Sequence, residues 1–121
     1  MSAGARLRRL CALDEIAEPG SRSFRLDDDA DHRPFFVVRE GGRVVAYENV
    51  CPHAGSPLDW LPDRFLDVDR RRILCATHGA LFRIADGHCI GGPGAGKSLT
   101  PVLIRIADGA IYLVEEGVLP A

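Results

Sequence analysis

The chain lacks several features that would have announced a function. No apolar run in its 121 residues approaches the length that spans a bilayer, so a membrane protein built on helices is not expected. There is no excess of positive charge either. Fifteen Lys and Arg against 17 Asp and Glu leave a formal net charge of −2, which gives no basic footprint for nucleic acid. No window shows a clean helical period, and proline or glycine interrupts most candidates. There is no internal repeat and no linker rich in serine or proline. The length is therefore read as one domain, residues 1–121, with one modest core. The opening MSAGARLRRLCALDEIAEPG has Arg6, Arg8 and Arg9 but no continuous apolar segment behind them, and Asp14 and Glu15 follow soon. That is a poor secretory signal and a poor transit peptide. The expectation is a cytoplasmic protein whose four cysteines serve as ligands or packed thiols, not as disulfides.

What is there reads as short strands separated by turns. Residues 22–26 (RSFRL) alternate, and 34–40 (PFFVVRE) form an apolar run. Gly41-Gly42 is a two-residue hairpin signal from which 43–48 (RVVAYE) returns. Further strands are expected at 72–75, 81–84, 88–90, 102–107 and 110–115, with Asp86-Gly87 and Asp108-Gly109 as turns. The fold class this implies is all-β, a small antiparallel sandwich or barrel.

Two short clusters carry the chemistry: Cys51-Pro52-His53 and Cys75-Ala76-Thr77-His78-Gly79. Each pairs a thiolate donor with an imidazole, and each follows an expected strand. One or two intervening residues let both donors converge on one centre. A single pair would mean little, since cysteine is often a small buried apolar residue and histidine is common in loops. Two such pairs point to a metal. Zinc takes two cysteines and two histidines tetrahedrally, but a zinc finger has both cysteines first and both histidines last. Here 21 residues separate Cys-x-His from Cys-x-x-His. From the residues alone, a zinc clip that holds two loops of a binding module stays open.

The stretches CPHAGSPLDW and CATHGALF resemble the two cluster loops of the Rieske iron–sulfur proteins. The resemblance takes in the flanking strands and a closing glycine-proline segment, so it spans most of the chain. It implies one [2Fe–2S] cluster in a two-loop subdomain, with Cys51 and Cys75 on one iron and His53 and His78 on the other. The gap of 21 is slightly longer than the usual one, and residues 61–70 (LPDRFLDVDR) read as a charged surface insertion that supplies the excess. Two neutral imidazoles leave the core less negative than four thiolates would. The potential then rises from about −400 mV to between about −150 and +300 mV. The histidines also keep a titratable ring nitrogen, so protonation can be linked to redox state. High-potential members carry two further cysteines that tie the loops together, where this chain has Ser56 and Thr77. They also carry a serine and a tyrosine whose hydroxyls donate to the sulfurs, where this chain has Ala80 and Phe82. Without those donors the reduced state is less stabilised, and a value near −150 to −100 mV is expected, about the low end.

A second pattern competes. GGPGAGKS, residues 91–98, fits the nucleotide-binding motif G-x-x-x-x-G-K-[ST]. A phosphate loop needs a buried strand behind it and a helix ahead, whereas Leu99-Thr100-Pro101 and a β-branched run follow here. No nucleotide is expected at 91–98. The resemblance instead assigns Gly92-Pro93 to a segment that covers the cluster, with Lys97 a surface charge. Asp27, Asp28, Asp29 and Asp31 lack the glycine and distal glutamate of a calcium loop and read, with His32, as solvated surface. Cys11 and Cys89 read as packed thiols and His88 as a solvent-facing strand residue. Pro57, Leu58 and Trp60 either shield the site or pack near it.

The resemblance implies a soluble ferredoxin-type one-electron carrier with no catalytic residue of its own. Its donor would be a flavin-dependent NAD(P)H reductase, and its acceptor an oxygenase or similar redox enzyme. The larger domain with mononuclear iron that Rieske oxygenases carry is not recognisable here. A small subunit of a larger reductase, such as a nitrite reductase, is an alternative. Some of those have lost the ligands, whereas all four are present in this chain.

Overall fold

A computed structural model describes residues 5–25, 34–50, 58, 65–67, 69, 71–75, 79–92 and 96–116. Its strands are β1 (Ala5–Ala12), β2 (Gly20–Phe24), β3 (Phe35–Glu40), β4 (Arg43–Glu48), β5 (Arg72–Leu74), β6 (Leu81–Arg83), β7 (Cys89–Gly91), β8 (Ile104–Ala107) and β9 (Ala110–Glu116). A single 3-10 turn, Leu13–Glu15, is the only helical element among the described residues. The strands make three antiparallel three-stranded sheets, in the orders β1-β9-β8, β2-β3-β4 and β5-β6-β7. The all-β expectation holds. Among the described residues no helix is long and apolar enough to cross a membrane.

The chain divides into two compact units. One comprises Met1–Glu15 with Leu103–Ala121 and holds the sheet β1-β9-β8. β8 and β9 form the expected hairpin around Asp108-Gly109, and Cys11, Ile111 and Leu113 are buried on one face. β1 was not anticipated beyond the strand-like surroundings of Cys11. Arg6, Arg8 and Arg9 break up its apolar pattern, and a register shift between Arg9 and Cys11 breaks its alternation.

The other unit, Ile16–Val102, holds the remaining two sheets. β3 is the middle strand of its sheet, and Phe35, Phe36, Val37 and Val38 are all buried, on both faces. That is why it reads as an unbroken apolar run instead of alternating. Gly41 and Gly42, with φ of 61° and 78°, make the hairpin turn to β4, a geometry that side chains with a Cβ disfavour. One apolar cluster draws on both sheets, with Phe36, Val38 and Tyr47 from one and Ile73, Phe82 and Cys89 from the other.

Within 61–70 the described residues 65–67 correct the surface-insertion expectation, whereas Asp69 is exposed. Phe65 is fully buried and stacks on Phe36 with ring centroids 4.1 Å apart and planes within 4°. The carbonyl of Phe65 accepts from Leu74 N–H, and Asp67 N–H donates to the carbonyl of Arg72, so this stretch pairs along β5. Burying a side chain of that size contributes about 1.5–3 kcal/mol.

Candidate metal centre

The second Cys/His cluster sits at the tip of the β5–β6 hairpin. The register pairs Leu74 with Leu81. The ladder continues one residue further, because Cys75 N–H donates to the carbonyl of Ala80 at 2.9 Å. The carbonyl of Cys75 accepts from Gly79 N–H at 2.8 Å. Cys75 is thus held at the root of the loop by two main-chain bonds. Its side chain is fully buried, as are Ala80 and Phe82. Strand alternation and the register put Ile73, Cys75, Ala80 and Phe82 on one face of the hairpin, and all four belong to the shared core.

The glycine-rich segment after β7 comes directly against this loop. Gly92 has φ of 79°, and a Cβ built there would lie 2.8 Å from Gly79 O and 3.0 Å from Ala80 Cα. No L side chain fits without moving the backbone of the second cluster loop. Beyond it, the segment that a phosphate loop would need as a helix runs extended. Ser98 bridges to His88, Leu99 N–H donates to Gly87 O, and Thr100 O accepts from Glu48 N–H. Leu99 is buried in the core and Lys97 is exposed.

The first loop is held at its two ends. Asn49 follows β4, its N–H donating to Pro34 O at 2.9 Å. Its side-chain Oδ1 accepts from Leu58 N–H at 2.7 Å, and the Leu58 side chain is fully buried. At the far end of β6, Tyr47 Oη donates to Ile84 O at 2.6 Å. Burial, reinforced by the charge of Asp86 and opposed by Arg43, pushes the Tyr47 hydroxyl up to about 12. The Asp86 carboxylate is held below its ordinary value first by its hydrogen bond from Arg83, then by the His88 N–H. These groups brace the β6–β7 turn.

Of the four expected ligands, the structure describes Cys75. Cys51, His53 and His78 lie outside the described residues, as do Ser56, Pro57, Trp60, Thr77, Pro93, Asp27, Asp28, Asp29, Asp31 and His32. Cys11 and Cys89 are buried thiols, as expected, and Cys89 Sγ lies 3.3 Å from Gly91 O. His88 is partly exposed, with Nδ1 3.1 Å from Ser98 Oγ. Leu58 is core. Sequence reasoning missed Asn49, Tyr47 and Phe65. An asparagine two residues before the first cysteine was the one local signal of a loop clamp.

The Rieske [2Fe–2S] domain profile matches residues 8–112. The chain belongs to the Rieske family. A Rieske domain binds one [2Fe–2S] cluster. Among solved structures, the ferredoxin of carbazole 1,9a-dioxygenase from Nocardioides aromaticivorans is 22% identical, with a TM-score of 0.69 over 90% of this chain and 97% of that one. A Sphingomonas yanoikuyae ferredoxin is 20% identical, with a TM-score of 0.71 over 91% of this chain and 99% of its own. The terminal oxygenase of carbazole 1,9a-dioxygenase from N. aromaticivorans matches at 21% identity and a TM-score of 0.72, over 94% of this chain but 31% of the oxygenase. No curated protein sequence matches the chain. The Rieske fold is thus shown from sequence and from structure. The described residues fit the cluster: a buried cysteine stands at the root of a braced loop, and Gly92, just after β7, approaches that loop so closely that a Cβ would clash.

Proposed function

We propose that this chain is a ferredoxin-type one-electron carrier. Cys51 and Cys75 hold one iron of the cluster and His53 and His78 the other, within a single Rieske domain. When bound, the cluster accepts and releases one electron at a time. The chain's own part is to keep its donors fixed and the surroundings dry. Cys75 is anchored by two main-chain hydrogen bonds and enclosed by apolar side chains, so little has to rearrange when the charge changes.

The observation that carries this reading is the conjunction of the family match with both Cys/His pairs in one chain. A likeness running over 97% and 99% of two ferredoxin chains supports the carrier role over a catalytic one. The acceptor proposed is an oxygenase. One similar structure is titled a complex of reduced oxygenase and oxidized ferredoxin in carbazole 1,9a-dioxygenase, and its matched chain is 96% covered. The donor proposed is a flavin-dependent NAD(P)H reductase, and the compartment the cytoplasm.

The test is replacement of each ligand in turn by alanine. Each variant is expected to lose the visible absorbance and the rhombic reduced EPR signal of the purified protein. An unchanged spectrum in the His53 and His78 variants would refute the assignment.

A further inference from the structure

The two loops that carry the ligand residues are closed by different means. In the second loop the main chain closes itself, through Cys75 N–H to Ala80 O and Gly79 N–H to Cys75 O. The first loop is longer. Its flanking residues, Asn49 and Leu58, are joined by a side chain: Asn49 Oδ1 takes the Leu58 N–H at 2.7 Å. Both ends of this bond are themselves anchored. Asn49 N–H is tied to Pro34 O, and the Leu58 side chain is fully buried in the core. An amide oxygen therefore stands where a strand partner's carbonyl would stand, at the mouth of the loop that carries Cys51 and His53.

We propose that Asn49 is a positioning residue for the cluster, closing the first ligand loop through its bond to Leu58 N–H. This rests on the ligand assignment above. The loop contributes one donor to each iron under that assignment, so loosening its mouth frees a sulfur and a nitrogen donor together. The choice of asparagine has a chemical reason. Aspartate would accept the same hydrogen bond, but it would set a negative charge two residues from Cys51, where it opposes the arrival of an electron. Asparagine closes the loop without that charge.

Asn49→Ala and Asn49→Asp separate the two effects. Cluster retention is read as the rate of iron release to a chelator under native conditions, and electrostatics as the midpoint potential. Asn49→Ala is expected to release iron at least about tenfold faster than wild type, a loosening worth about 1.4 kcal/mol. Asn49→Asp should release it at close to the wild-type rate with a lower potential. Tyr47→Phe removes a side-chain hydrogen bond in the same unit whose partner, the Ile84 carbonyl, belongs to neither ligand loop, and should lower thermal stability while leaving iron release unchanged. Equal release rates in wild type and Asn49→Ala, or acceleration in Tyr47→Phe matching that in Asn49→Ala, would overturn the proposal. Should Asn49→Ala fail to fold, hydrogen exchange at the Leu58 amide of the wild-type holoprotein decides: protection supports the clamp, and exchange at the open-chain rate overturns it. A wild-type protein without iron or sulfide would instead refute the ligand reading itself.

Discussion

Ala80 does two things that a serine there would split apart. Its carbonyl completes the bond that fixes Cys75, and its methyl group offers nothing to a sulfur. Phe82, equally buried, offers no hydroxyl either. Donors aimed at the sulfurs stabilise the more negative reduced state. Ala80→Ser keeps the carbonyl and adds a donor, and should raise the midpoint potential by about 40 mV, one net hydrogen bond of about 1 kcal/mol. Protein-film voltammetry reads this directly, and a fall would contradict it. Tyr47 gives a second residue-scale prediction. Its folded pKa of about 12 exceeds the ordinary 10.0, so the protein favours the neutral hydroxyl. The stability this contributes is complete below about pH 10 and is lost as pH rises through about 12, by about 2–3 kcal/mol in full. Denaturation of the wild type at pH 8 and pH 11 should show that decline. Tyr47→Phe should flatten it and cost about 1–2 kcal/mol at neutral pH, since the Ile84 carbonyl loses its donor.

At the scale of elements, Gly92, just after β7, packs against the Gly79–Ala80 backbone of the β5–β6 loop. Gly92 and Gly96 both have positive φ, 79° and 91°, yet a Cβ at Gly92 meets the loop backbone at 2.8 Å while one at Gly96 meets nothing within 4 Å. Gly96→Ala should cost about 1–2 kcal/mol through backbone strain and leave the cluster's spectrum alone. Gly92→Ala should cost more and shift both spectrum and potential. Like behaviour in the two variants would mean that the contact does not bear on the site. Eight of the nine strands among the described residues were legible in the sequence, because turn dipeptides such as Gly41-Gly42 and Asp108-Gly109 punctuate them sharply. β1 was hidden by its arginines. Phe65 was hidden by the charges around it, since burial of one aromatic follows from Phe36 across the core and not from its own neighbours. The loop clamp at Asn49 was hidden for the same kind of reason: its partner is nine residues away.

For the molecule as a whole, the kind of cofactor was the most legible part. Donor type and spacing are fixed by what a cluster binds, whatever the scaffold. The scaffold's contribution, a buried Cys75 with a glycine seated on its loop, needed coordinates. The nucleotide-like pattern at 91–98 shows the opposite case, where a short motif fits letter for letter while the chain beyond it runs extended and pairs with β4 and the β6–β7 turn. A Rieske cluster occupies this chain and carries single electrons. Its most direct measurement is iron and acid-labile sulfide on protein purified without oxygen. Two of each per chain are expected, as a [2Fe–2S] cluster requires. Zinc in their place, or iron without sulfide, would contradict it.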